Sequence, residues 1–198
     1  MDSQLEDFFK IRQDILNDSK DEDGYIQQQG ILSRVLPAML DSKLVDSEDC
    51  NESFFMDEPN NLKLNAYAIN ESGERLQLFI IDDGSIDETT PHDELNISQK
   101  KDYEVQFKRA SKFVSMSSKG TLSEDLEITD SVKALVSKFS SSLGVEQFDV
   151  VEMFLISLTA TVSHQGLVPR PRSIRFDEDS LNVSYEKNGE KKKKVICY

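Results

Sequence analysis

The sequence has few of the residues that usually carry enzyme chemistry. It contains two histidines, two cysteines and no tryptophan among 198 residues. Cys50 and Cys197 belong to no motif and, together with His92 and His164, lack the spacing of zinc ligands. We therefore expect free thiols in a reducing compartment. His164 follows an apolar run but no nucleophile motif accompanies it, so a polar loop contact is favoured over a general base.

Glycine-rich motifs and long apolar runs are also missing. The eight glycines are scattered and form neither GxGxxG nor GxxxxGK[ST], which excludes the common phosphate-binding loops. No apolar run approaches the ~20 residues that span a bilayer. The acidic start, MDSQLEDFFK, does not have the pattern of a secretory signal. We expect a cytoplasmic protein that has no membrane partner.

Basic residues are scarce, because 23 Lys and Arg stand against 37 Asp and Glu, for a net charge of −14. This excess argues against a general nucleic-acid binder, since phosphate binding needs clustered Lys and Arg. Residues 165–198 nevertheless hold 8 basic and 5 acidic residues. This basic end could contact nucleic acid or an acidic partner through Arg170, Arg172, Lys191, Lys192, Lys193 and Lys194. A charged edge strand that discourages pairing is the simpler interpretation.

The spacing of apolar residues predicts alternating helices and strands. Periodicity near 3.6 predicts helices over about 2–17, 25–42, 98–118 and 130–143. Alternation predicts a hairpin of strands 62–69 and 75–82, followed by a central strand 148–161. The acidic stretch 46–61 is predicted to be a loop. Asn188 and Gly189 favour a type I′ turn, which predicts a C-terminal hairpin.

The expected fold class is α/β, with a mixed central sheet flanked by helices and a C-terminal hairpin. We expect a single domain over 1–198, made of a helical part (1–45), a sheet-and-helix core (62–161) and the hairpin (173–198). The chain ends at Tyr198 within an apolar strand pattern. We therefore expect an N-terminal fragment of a longer protein.

The carboxylates at the end of the second strand are the main candidates for chemistry. In nucleases of the PD-(D/E)xK type, acids and a lysine on adjacent strands hold Mg²⁺ and position the attacking water. Asp82 and Asp83 stand in the second-strand position, but the lysine is missing. Asn65 occupies the partner position on the first strand and lacks the charge that a hard cation favours. We expect no cofactor, or Mg²⁺ at Asp82 if the site is catalytic.

Several stretches together resemble the N-terminal region of the abortive-infection phage-resistance (AIPR) family of bacterial proteins. They are DSKLVDSEDC, LNAYAI, LQLFIIDDGS, EVQFKRASKFV and VEMFLISLTA. The resemblance implies a restriction-endonuclease-like core and a cytoplasmic role in defence against phage. The family's first strand commonly carries an Asp-Gly-Tyr-like triplet, which stands here as Asn65-Ala66-Tyr67. Its second strand typically ends on an aspartate, which Asp82 matches.

Three functions remain open at this point. The first is a non-catalytic nuclease-like scaffold, sensor or interaction module in phage defence, with other protein chains or a second copy as partner. The second is a metal-dependent nuclease whose lysine has moved, for instance to Lys63 or Lys108, because only the position of the ammonium matters. The third is an interaction domain unrelated to defence, whose partner adds a strand to the C-terminal hairpin.

Overall fold

A computed structural model describes residues 3–86, 100–122, 126–127, 130–159 and five short strand segments beyond them. The chain forms two compact units. The helical unit comprises Met1–Asp49, Ile81–Tyr103 and Ile156–Ser173, and the sheet unit comprises Cys50–Ile80, Glu104–Leu155 and Ile174–Tyr198. No helix in the described part of the chain is both long enough and apolar enough to cross a membrane.

Two helices dominate the helical unit, α1 (Ser3–Asp18) and α2 (Gln28–Asp41). The buried side of α2 is formed by Ile31, Leu32, Leu36 and Met39, and Pro37 lies inside the helix. Gly30 allows the chain to approach closely, because a Cβ there would lie 2.7 Å from Cα of Ser19. The buried Ser19 hydroxyl donates to the carbonyl of Ile15 at 2.6 Å, which satisfies it at the end of α1.

A five-stranded sheet has the order β1-β2-β3-β4-β9. Its strands are β1 (Asn51–Asp57), β2 (Leu62–Ile69), β3 (Arg75–Ile81), β4 (Val150–Ile156) and β9 (Val195–Cys197). The first three strands are antiparallel, and β9 runs parallel to β4. β3 and β4 are parallel too. The Asp149 N–H donates to the carbonyl of Glu74 where both strands begin, and the Asp82 N–H donates to the carbonyl of Ile156 where both strands end.

Apolar side chains from helices α3 (Lys100–Ser118) and α4 (Lys133–Phe139) contribute to the core of the sheet unit. Phe113 of α3 meets Phe55 of β1 with ring centroids 5.6 Å apart. Within the sheet, Phe79 stacks on Phe154 at 5.5 Å. Ring pairs of this kind add about 0.5–1.5 kcal/mol beyond the area they bury.

The structure confirms the predicted α/β fold with its mixed sheet and flanking helices, but it corrects three details. Residues 46–61 are not all loop, because β1 occupies Asn51–Asp57. The prediction failed there because a bulge between Glu52 and Phe55 breaks the regular alternation. The central strand is also shorter than predicted, since β4 ends at Ile156.

The third correction concerns the C-terminal hairpin. Four further short strands are described, β5 (Thr161–Val162), β6 (Pro169–Arg170), β7 (Tyr185–Lys187) and β8 (Glu190–Lys192). β7 and β8 pair antiparallel, as a hairpin should, and the Asn188-Gly189 turn lies outside the described residues. Val195–Cys197 does not extend this hairpin, because it pairs with β4 instead.

Candidate functional site

Asp82 follows directly after β3, at the carboxyl end of the parallel strand pair. Its side chain is buried, and its Oδ2 accepts a hydrogen bond from Ser157 Oγ at 3.0 Å. Its backbone N–H donates to the carbonyl of Ile156 at 2.9 Å, which fixes the carboxylate beside the end of β4. Ligand and active sites of α/β proteins commonly lie at the carboxyl ends of parallel strands. The position of Asp82 is therefore that of a candidate functional site.

A chain of hydroxyl groups continues from this carboxylate. Ser157 Oγ lies 2.9 Å from Thr159 Oγ1, and Thr159 Oγ1 lies 2.8 Å from the hydroxyl of Tyr103. Thr159 and Tyr103 are both buried. Hydroxyl groups can donate and accept at once, so a linear chain of this kind satisfies each member. The four groups tie the ends of β3 and β4 to the first turn of α3.

Two further polar side chains hold neighbouring positions. Arg12 of α1 is 2 % exposed, and its Nε donates to the carbonyl of Leu158 at 3.0 Å. Burial lowers the pKa of this guanidinium from its ordinary value, because desolvation penalises the charged form. Gln28 Nε2 donates to Asp83 Oδ1 at 2.8 Å. Asp83 begins a short 3₁₀ turn, Asp83–Ile86, that carries the chain away from the strand.

The described surroundings of Asp82 and Asp83 supply hydrogen-bond donors to both carboxylates. Mg²⁺ needs octahedral oxygen ligands, usually with one or two carboxylates. Across the residues that the structure describes, no group of three or more His, Cys, Asp or Glu side chains could hold a metal ion. Among the partners of the two adjacent carboxylates are the Ser157 hydroxyl on Asp82 and the Gln28 amide on Asp83. The arrangement can therefore hold charge and orient strands, and it resembles a structural network.

The remaining predicted residues fall on strands β2, β6 and β8 and on helix α3, or lie outside the described residues. Asn65 is buried within β2 of the sheet unit, whereas Asp82 and Asp83 belong to the helical unit. Lys63, also in β2, is 1 % exposed, and Lys108 on α3 is exposed. Arg170, Lys191 and Lys192 fall in short strands of which only the backbone is described. The described residues do not include His92, His164, Arg172, Lys193 or Lys194.

A second buried carboxylate lies near the amino ends of β3 and β4, within the sheet unit. Glu152 Oε2 accepts hydrogen bonds from Arg75 Nε at 2.7 Å and from Gln77 Nε2 at 3.0 Å. A second guanidinium nitrogen of Arg75 lies 2.7 Å from the same oxygen. The Glu152 side chain is 4 % exposed and that of Arg75 is 28 % exposed. This cluster is a compensated ion pair, as a buried charge requires.

Several members of both clusters were missed from the sequence, although signals were present. Arg12 interrupts the apolar stripe of α1, and Glu152 is the one charged residue within VVEMFLI. Ser157 and Thr159 continue the alternation of the preceding strand, so they were included in a longer predicted strand. A charged residue on an otherwise apolar face is usually paired when it is buried. This rule would have singled out Arg12 and Glu152.

Fold and site together define a mixed α/β domain with a buried acidic and hydroxyl network at the carboxyl ends of parallel strands. Residues 35–174 match the family described as abortive infection phage resistance protein N-terminal domain. Because the match spans more than half of the chain, the protein belongs to this family, as the resemblance of its strands and helices indicated. None of the curated proteins and none of the solved structures compared with the chain matches it.

Proposed function

We propose that this domain of an abortive infection phage resistance protein is a non-catalytic, nuclease-like interaction module that works in the cytoplasm. The observation that carries the proposal is the bonding of Asp82. Its carboxylate oxygen is held by Ser157, in a chain that continues through Thr159 to Tyr103. A carboxylate that anchors two strand ends and a helix in this way has a structural use. The mixed sheet between helices is compatible with a restriction-endonuclease-like core.

The described residues contain no cluster of side chains suited to a metal ion, which supports a non-catalytic role. Hydrolysis of a phosphodiester with Mg²⁺ requires the cation to hold substrate and water, which takes several oxygen ligands and open positions. Asn65, in the place of the family's first-strand acid, offers an amide oxygen without charge. In the part of the chain that the structure describes, no alternative cluster of acids replaces it.

The proposal is tested by a nicking assay together with calorimetry. Supercoiled plasmid is incubated with the chain in Mg²⁺ and in Mn²⁺, and the same cations are titrated into the protein. We expect no nicking and no heat of binding. As a matched pair, Asp82→Ala removes the buried acid, and Asp41→Ala removes an exposed acid at the end of α2. Metal-dependent nicking that Asp82→Ala abolishes and Asp41→Ala preserves would refute the proposal.

A nuclease with a displaced lysine is the second candidate, and the burial of Lys63 favours it. The Lys63 side chain is 1 % exposed, and burial of an ammonium group is costly. A lysine at this position therefore indicates a functional role for its ammonium group. If the chain cleaves DNA, Lys63→Met should abolish cleavage while Lys108→Met, at an exposed position, leaves it intact. Loss of cleavage in neither variant would remove this candidate.

A further inference from the structure

One face of α3 carries a basic ridge on this strongly acidic protein. Lys108, Lys112 and Lys119 are exposed, and their spacing of four and seven residues places them on the same side of the helix. The helical hydrogen bonding extends to Lys119, whose N–H bonds the carbonyl of Ser115. The ridge is ~16 Å long at 1.5 Å per residue. Within the described part of the chain, no carboxylate forms an ion pair with any of the three lysines.

The flank of α3 beside this ridge carries unsatisfied polar atoms. Gln106, Arg109 and Phe113 follow the i, i+3, i+7 spacing of one helix side. Gln106 Oε1 and Arg109 Nε are shielded from solvent and have no hydrogen-bond partner among the described residues. Shielded polar groups without partners destabilise the folded chain. Either side chain can therefore turn outward to a partner without breaking a hydrogen bond at that atom.

The edge strand β1 is acidic, whereas the ridge on α3 is basic. Glu52 and Glu58 are exposed, and between them Phe54 and Met56 are 39 % and 45 % exposed. Addition of another strand to this edge is discouraged, because a bulge interrupts β1 and Ser131 Oγ already donates to the carbonyl of Ser53 at 2.7 Å. This edge is therefore suited to contact through side chains.

The basic ridge and the acidic edge are neighbours within the sheet unit. Lys112 Nζ donates to the carbonyl of Asn60, in the turn that follows β1. Beneath the flank of α3, the buried Phe113 packs on Phe55 of β1. The ridge therefore adjoins the turn after β1, and we call the ridge, the flank and the edge together the α3–β1 surface. Its two halves, the ridge and the edge, are opposite in charge.

We propose that two copies of this chain associate through the α3–β1 surface about a two-fold axis. A two-fold axis through the flank places the ridge of each copy against the acidic edge of the other, so one contact satisfies both halves. It also brings Gln106 of one copy towards Arg109 of its partner. Gln106 Oε1 then gains a donor, and Arg109 Nε gains an acceptor. This proposal rests on the interaction role proposed above and names its partner and its surface.

A second copy suits this surface better than nucleic acid does. Phosphate groups offer acceptors only, so they leave the acceptor Gln106 Oε1 unsatisfied. They are also repelled by Glu58, which stands two residues before the Asn60 carbonyl that Lys112 contacts. Exposed apolar side chains, Phe54 and Met56 on the edge and Val105 at 49 % on the ridge side of α3, favour a protein partner.

The test is sedimentation velocity of the chain over a concentration series. We expect a monomer–dimer equilibrium whose Kd rises about tenfold or more between ~0.05 M and ~1 M NaCl, because salt screens exposed charges. Charge reversal of the ridge, K108E with K119E, should give a monomer. Reversal of the edge, E52K with E58K, should also give a monomer. Both double variants retain Lys112 and its contact with Asn60.

Mixing the two double variants provides the decisive arm. Each ridge then meets an edge of opposite charge, so two monomeric samples should combine into a one-to-one heterodimer. Variants that fail to fold could not form this heterodimer, so its formation also shows that both variants fold. K138E, at an exposed position on α4, should dimerise like the parent chain. A parent chain that stays monomeric, or a mixture that does not associate, overturns the proposal. So does binding of the parent monomer to oligonucleotides that K108E with K119E abolishes.

The outcome of this test is separate from that of the nicking assay. A monomer that does not cleave DNA contradicts the dimer but leaves the non-catalytic role intact. A dimer that nicks plasmid in a metal-dependent way contradicts the non-catalytic role and leaves the dimer intact.

Discussion

The same pair of parallel strands carries two buried carboxylates, one in an ion pair and one at the start of a chain of hydroxyl groups. At the amino ends of β3 and β4, Glu152 is held by the Arg75 guanidinium and the Gln77 amide. At the carboxyl ends, Asp82 is held by the Ser157 hydroxyl, which Thr159 and Tyr103 extend. A charged donor neutralises a buried carboxylate, whereas a hydroxyl only solvates it. The comparison indicates that Glu152 belongs to an ion pair, and that Asp82 anchors a chain of neutral hydroxyl groups.

Removal of Glu152 should have the largest effect on stability. Glu152→Ala leaves Arg75 and Gln77 without their common acceptor, and breaking a buried ion pair by removing one partner costs about 3 kcal/mol or more. Glu152→Gln keeps an acceptor oxygen in place, so its cost should be about half as large. Urea denaturation followed by circular dichroism measures both. Equal and small losses for the two variants would mean that Arg75 does not depend on this carboxylate.

Removal of Asp82 should cost less than removal of Glu152. Asp82→Ala deletes the acceptor of the Ser157 hydroxyl, a loss of about 1–2 kcal/mol, and Asp82→Asn should recover most of it because the amide oxygen still accepts. The same denaturation experiment makes this comparison. A loss for Asp82→Asn as large as that for Asp82→Ala would show that the charge itself is needed, which would weaken the contrast between the two ends.

The hydroxyl chain should behave as a coupled unit. Tyr103→Phe and Thr159→Val each remove one hydroxyl with little change in shape, and each should cost about 1 kcal/mol. The double variant should cost less than the two single losses combined, because the contact between the two hydroxyls is lost only once. The double-mutant cycle is read from unfolding free energies. Strict additivity would show that the 2.8 Å contact contributes nothing of its own.

The sequence predicted elements better than it predicted contacts. Alternation over LKLNAYAI placed β2 correctly, and a strand running into two aspartates placed Asp82 at the sheet's end. β1 was missed because a bulge, with Phe54 at a φ of +45°, disrupts the two-residue alternation of its side chains. In addition, a local pattern cannot reveal a strand whose pairing depends on the neighbouring strand. The network around Asp82 joins residues 75 positions apart, and Arg12 reaches a carbonyl 146 positions away. Such partners follow from topology, which one sequence does not encode locally.

An exposed carboxylate sharpens the comparison of the two buried ones, and it should show the smallest effect. Asp21 Oδ1 accepts backbone N–H groups of Tyr25 at 2.8 Å and Asp23 at 3.0 Å, and Oδ2 accepts from the Gln27 side chain. These donors, with the Tyr25 N–H first, lower the pKa of Asp21 below its ordinary value of 3.8, although desolvation opposes them.

The sign of this shift gives the expected dependence on pH. Since the folded pKa lies below the unfolded one, the contribution of Asp21 is fully present above the unfolded value and disappears as pH falls through the folded value. Asp21→Asn keeps an acceptor oxygen but cannot ionise. We therefore expect a slightly lower Tm than the parent at neutral pH, and a difference that vanishes in acid. NMR titration of the Asp21 carboxyl provides the direct check. A midpoint at or above that of the urea-unfolded chain would show that N–H donors do not stabilise an exposed carboxylate here, and that burial is what distinguishes Glu152 and Asp82.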